Sequence, residues 1–124
     1  MEGFVVFSIT GENIHPDLIT RHIQLEPSRV IHPVEENDYK TLWQINSRLK
    51  GREPIVEHFR DILKRLMPVR KKLREFSRDA ELIFFCSLIK QKVSPETAVI
   101  PQEILLVIGN LGASLEIDFK TTEL

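Results

Sequence analysis

Apolar residues recur along the chain with two different periods, and the changes from one to the other mark out its elements. Phe4-Val5-Val6-Phe7-Ser8-Ile9-Thr10 is a β-branched and aromatic run closed by Gly11, which predicts a first strand. At Ile14-His15-Pro16-Asp17 the pattern turns helical. Pro16 suits the first helical position, His15 stands at the N-cap, and Ile14 can staple onto Ile19. This short helix runs to about Ile23, and Pro27 marks its exit. Ser28 to His32 predicts a second strand, and Pro33 to Lys40, with Glu35, Glu36, Asn37 and Asp38, a solvated polar loop. Thr41 to Ser47 alternates, with Trp43 and Ile45 on one face, and predicts a third strand.

Beyond Gly51 and Pro54 the helical period dominates. Ile55, Phe59, Ile62, Leu63 and Leu66 fall at i, i+4, i+7, i+8 and i+11, one stripe of an amphipathic helix. Val69, Leu73 and Phe76 continue the stripe beyond Pro68. Proline removes a backbone donor and clashes with the preceding turn, so a bend or break is expected near Leu66 to Pro68. Leu82 to Leu88 is apolar at both parities, as in a central strand covered on much of both faces. Lys90 to Ala98 reads as a loop, and Pro101 to Leu111 as a helix with Gly112 at C′. Leu115, Ile117 and Phe119 alternate with Glu116, Asp118 and Lys120, which predicts a half-buried last strand.

The resulting order, β-α-β-β-α-β-α-β, implies an α+β fold. An antiparallel-dominated sheet of about five strands with helices on one face is the economical packing. The first six elements suggest a ferredoxin-like core with an added α-β. Phe7, Ile9, Leu115, Ile117 and Phe119 are expected among the buried residues.

The chain has 124 residues, one domain on the usual length prior, so residues 1–124 are read as a single α+β domain. Hydrophobic residues make up 42% and charged ones 28%, values that exclude disorder and fibrous repeats. A net charge of -1 excludes a globally basic nucleic-acid binder. No basic leader or membrane-length apolar run is visible, so cytoplasmic localisation without membrane association is expected.

Chemical motifs are sparse. The four histidines, His15, His22, His32 and His58, show no His-x-x-x-His spacing, and one cysteine excludes a multi-cysteine zinc site. No metal or cofactor is expected. Cys86, between Phe85 and Ser87 in the most apolar segment, reads as a core thiol rather than a nucleophile. No Gly-x-Ser-x-Gly elbow is present, and Gly109-Asn110-Leu111-Gly112 follows a helix, where an anion would want the opposite end. No catalytic residue is assigned.

One asymmetry stands out. Between Arg60 and Arg78 lie eight basic and two acidic residues, so this segment carries +6 and the rest of the chain -7. Arg70 and Arg74, with Arg78 if the helix extends that far, fall at i, i+4 and i+8 on one ridge. A solvated face is the plain explanation. The alternatives are a docking surface for an acidic protein, and, with less support, for nucleic acid, since no aromatic-rich strand of the RNP type accompanies the patch. The candidate partner-binding residues are Arg65, Arg70, Lys71, Lys72, Arg74 and Arg78.

Three segments carry a family resemblance: Ile14-His15-Pro16-Asp17-Leu18-Ile19-Thr20, Leu25-Glu26-Pro27-Ser28-Arg29, and Ile108-Gly109-Asn110-Leu111-Gly112-Ala113-Ser114-Leu115-Glu116-Ile117-Asp118-Phe119. With Trp43 and the helix from Pro54, the chain resembles an uncharacterised bacterial family, domain of unknown function 4279. It departs at Glu116 and Phe119, where that family tends toward an Asp and a Tyr. The resemblance implies a compact α+β domain and no reaction. The expected function is therefore that of a non-catalytic macromolecular interaction module, with an immunity-type role compatible with its small size. A polyanion binder using the basic helix, and an enzyme with a site assembled from scattered residues, are the alternatives.

Overall fold

The computed structural model describes residues 2–32, 41–91 and 97–122. The predicted loop at 33–40, with Glu35, Glu36, Asn37 and Asp38, and most of the loop at 90–98 lie outside the described residues. The elements are β1 (Glu2–Gly11), α1 (Pro16–Ile23), β2 (Arg29–Ile31), β3 (Thr41–Asn46), α2 (Ile55–Leu66), α3 (Arg70–Phe76), β4 (Glu81–Gln91), α4 (Gln102–Asn110) and β5 (Ala113–Thr122). A 3-10 turn, Met67–Val69, separates α2 from α3. This is the break expected at Pro68, which has no N–H to carry the α-helical ladder onward.

The strands form one sheet in the order β2-β3-β1-β4-β5. β1 runs antiparallel to β3 and β4, β2 antiparallel to β3, and β5 parallel to β4. The fold is α+β, with a mixed, mostly antiparallel sheet. A parallel neighbour demands a crossover, and α4 supplies it.

Register decides which side chains share a face. Phe7 stands opposite Ile45 and Phe84, and Ile9 opposite Trp43 and Leu82. These residues, with Val5, Cys86 and Leu88, form a core with Ile19, Ile23, Phe59, Ile62, Leu66, Leu73, Ile104 and Ile108 from all four helices. The rings of Phe7 and Phe84 lie 4.9 Å apart and those of Phe59 and Phe84 6.3 Å apart, both tilted, within the range where aromatic pairs add to burial. Trp43 donates its indole N–H to Thr20 Oγ1 at 3.0 Å, which fastens α1 to β3 without orphaning a buried donor. The opposite sheet face carries Phe4, Val6, Ile83 and Phe85, which keep part of their surface in solvent. β4 is thus sealed on one side and partly covered on the other. Gly3 is required where β1 meets β4, because a Cβ there would collide with the Ser87 carbonyl.

Two expectations need correction. Lys90 and Gln91 belong to β4 rather than to a loop. More consequentially, Ile117 and Phe119 are not buried: they are 43% and 65% exposed. Their parity is the expected one, since Ile117 pairs with Cys86 and Phe119 with Leu88, both core residues. The cover is what fails. α4 has nine residues and β5 ten; at about 1.5 Å per helical residue and about 3.3 Å per strand residue, the helix spans less than half the strand. α4 turns into β5 at Gly112, so the strand's far half runs past the end of the helix. Leu115, nearer that turn, is partly buried.

Candidate interaction site: the basic groove between α3 and α4

α3 is seven residues long and buries Leu73. Successive residues on a helix point about 100° apart, so the basic residues around Leu73 fan out in different directions. Lys72 turns toward α1, where its ammonium donates to the His22 carbonyl at 3.1 Å. On the same side His22 Nε2 lies 3.1 Å from the Glu75 carboxylate, and its ring meets Phe76 edge-on. Arg70, Lys71 and Arg74 face the other way. With Met67, Val107, Asn110 and Leu111 they line a groove of about 430 Å³ between α3 and the C-terminal end of α4. A second concavity, lined by Lys71, Arg74, Glu75, Ser77 and Arg78, adjoins it through the two shared cations.

The ends of α3 and α4 meet in a tight contact. α4 stops with Leu111 donating to the Val107 carbonyl, and Gly112 follows at φ 77°. A side chain there would be strained by that backbone and would also press on the Ser77 Cβ at 2.9 Å. Ser77 in turn donates its hydroxyl to the Arg74 carbonyl at 2.6 Å, ending α3. The helix ends that frame the groove therefore meet where only glycine fits.

The structure divides the six candidates. It brings Arg70, Lys71 and Arg74 together on the groove, and Lys71 and Arg74 together with Arg78 on the adjoining concavity. Arg70 donates to the carbonyl of Met67 in the preceding turn, and among the described residues no carboxylate pairs with any of the four. Arg78 lies beyond α3, which ends at Phe76, so it lines the adjoining concavity, not the groove itself, and does so from a turn rather than from a helical ridge. Lys72 is engaged with α1, as above. Arg65 belongs elsewhere altogether: it donates to Asp61 Oδ2 at 2.9 Å and to the Asn46 carbonyl at 2.6 Å. Asp61 also receives the Arg48 backbone N–H at 2.9 Å and its guanidinium at 3.0 Å. Burial alone would raise the Asp61 pKa, but the Arg48 hydrogen bonds and the charges of Arg65 and Arg48 outweigh it and hold the carboxyl below its ordinary value. That network ties the exit of β3 to α2.

Sequence reasoning missed one constellation. His58 is fully buried on α2, and its Nδ1 shares a hydrogen bond with the Ser47 hydroxyl. Serine beside histidine is the start of a nucleophile-base arrangement, and its eleven-residue separation leaves no local motif to find. Its Nε2 has no hydrogen-bond partner among the described residues, so the third group that would orient the base is not in place. Neither residue borders the grooves described above. The pair reads as a packing link between β3 and α2. Cys86 is likewise sealed: it has no exposed surface, and burial pushes its thiol pKa up to about 11, away from the reactive thiolate. Among the described residues no three His, Cys, Asp or Glu side chains cluster to hold a metal, and no helix is long and apolar enough to cross a membrane.

Comparison with curated proteins and with solved structures returned no match. A family model does match, over residues 1–122, which takes in all three segments of the resemblance and every element of the fold. The chain belongs to the family described as Domain of unknown function (DUF4279).

Proposed function

We propose that the chain is a non-catalytic binding module that receives an acidic segment of a protein partner in the α3–α4 groove. The observation that carries this reading is the lining of that groove: three cations, Arg70, Lys71 and Arg74, above the apolar Met67, Val107 and Leu111, with no carboxylate among them. Such a lining suits a chain that presents carboxylates beside an apolar side chain. A phosphate backbone would use the cations but leave the apolar floor idle, which favours a protein over a nucleic acid. The cations also line the groove beside Asn110 and Leu111 at the C-terminal end of α4, whose partial negative charge favours cations nearby. That is their plain structural role, and the test must separate it from binding.

The test measures anisotropy of a labelled peptide of alternating Glu and Leu, and of a single-stranded oligonucleotide of equal charge. The wild-type protein is expected to bind the peptide. Changing Arg70, Lys71 and Arg74 together to Glu should weaken it at least about tenfold, the loss of about 1.4 kcal/mol, while far-UV circular dichroism stays the same. Tighter binding of the oligonucleotide, falling steeply with salt, would favour the polyanion reading. Unchanged peptide binding by the reversed protein would make the groove a solvated face.

A further inference from the structure

The far half of β5 is exposed in a second sense. β5 is the edge of the sheet, and no described strand pairs with its outer side. It is ten residues long, whereas β2 at the opposite edge has three. Long apolar edges are templates for further pairing, and proteins usually shorten or cover them. Exposed large apolar residues also concentrate in this part of the chain. Of the eight among the described residues, five (Val99, Leu105, Leu106, Ile117 and Phe119) belong to α4, its approach, or β5.

We infer that β5 pairs antiparallel with β5 of a second copy of this chain, joining two five-stranded sheets into one. The charges select the occupant. A two-fold axis perpendicular to the sheet keeps both helix layers on the same side and matches residues whose numbers share parity. Centring it on Phe119 sets Asp118 against Lys120 twice, Phe119 against Phe119, Ile117 against Thr121 and Glu116 against Thr122. Centring it on Asp118 or on Lys120 would instead place like charges face to face, which is destabilising at a directly opposed position. Lys120 alone would blunt an edge; with Asp118 two residues before it, the same lysine is complemented by a copy of its own strand. The pairing brings the two Phe119 rings together on the helix face, where α4 gives them no cover.

The register makes the inference testable by a charge swap. Analytical ultracentrifugation of the full chain over a concentration series should show a reversible monomer–dimer equilibrium for the wild type. Lys120→Asp places Asp against Asp at two positions and is expected to weaken the dimer at least about tenfold. The double variant Asp118→Lys, Lys120→Asp restores both opposed pairs and should recover dimerisation, which a merely damaged fold would not. Phe119→Cys should link two copies through a disulfide on mild oxidation, since directly opposed Cβ atoms lie about 4.5–5.5 Å apart and Cys86 is sealed in the core. A wild type that stays monomeric across the series would overturn the inference. So would a dimer indifferent to Lys120→Asp, or one that the double variant fails to restore.

Discussion

β1 and β5 are both ten residues long, and both turn a set of apolar side chains, spaced two apart, toward the helices. Yet Val5, Phe7 and Ile9 of β1 have no exposed surface, while Ile117 and Phe119 of β5 have much of theirs in solvent. The difference lies in what is stacked above and beside each strand. β1 has a strand on either side and the twelve-residue α2 over it. β5 has one neighbour and the shorter α4. Alternation in a sequence encodes the side a residue points to. Burial also needs a covering element of sufficient reach, and that is a property of two elements together.

The largest effect expected from this contrast is in stability. Phe84→Ala removes a ring packed against both Phe7 and Phe59, and should cost about 3–5 kcal/mol in urea unfolding. Phe119→Ala, on the same face, should change stability by no more than about 0.5 kcal/mol, measured where the protein is monomeric. A loss of several kcal/mol at Phe119 in the monomer would mean that β5 is covered after all.

Next in size is Asp61, which receives hydrogen bonds from Arg48, just after β3, and from Arg65 on its own helix, so that the Arg48 bonds join the exit of β3 to α2. Asp61→Asn should cost about 1.5–3 kcal/mol, the range for hydrogen bonds to a charged group. Its pKa is lower folded than unfolded. The stability it contributes is therefore present above the unfolded-state value, about 3.9, and is lost as pH falls through the lower folded-state value. Unfolding free energies of wild type and Asp61→Asn should converge as the pH is taken down through that window; a constant gap would show that the carboxylate charge is not what stabilises the link.

Much of this was legible in the sequence. The β1, α1, β3 and α2 segments, the break at Pro68 and the glycine closing α4 each leave a local mark: a period, a proline, a left-handed position. The α+β class follows from their order. The candidate site was legible only as a charge excess. Arg65, Lys71 and Lys72 look alike in the sequence. Only the Arg65–Asp61 pair, four residues apart on α2, has a legible spacing; the Asn46 carbonyl that Arg65 also reaches, the groove that Lys71 lines and the His22 carbonyl that Lys72 reaches involve elements separated along the chain. The Ser47–His58 pair was hidden for the same reason. Cys86 shows the opposite case, since its apolar neighbours alone predicted its burial. Cys86→Ala should accordingly cost about 1–2 kcal/mol, and the native thiol should react with a maleimide only as fast as the protein opens. Labelling faster than amide exchange of β4 would contradict a sealed core.

The smallest stability effects come from Lys71 and Lys72, and they sharpen the comparison within a single helical turn. Lys72 holds α3 to α1 through the His22 carbonyl, an exposed hydrogen bond. Lys72→Ala should cost about 0.5–1.5 kcal/mol and leave groove binding nearly unchanged. Lys71 lines both concavities and makes no hydrogen bond or ion pair with another described residue. Lys71→Ala should therefore fall within about 0.5 kcal/mol of wild type in stability. For binding in the groove the order should reverse, because, of the two, only Lys71 lines it. The Glu-Leu peptide should weaken for Lys71→Ala and not for Lys72→Ala, with the difference shrinking as salt is added, since exposed charges are screened beyond about 10 Å at 0.1 M. Equal losses from both substitutions would mean that the peptide senses only the net charge of α3, and the groove would then have no part in selecting what binds.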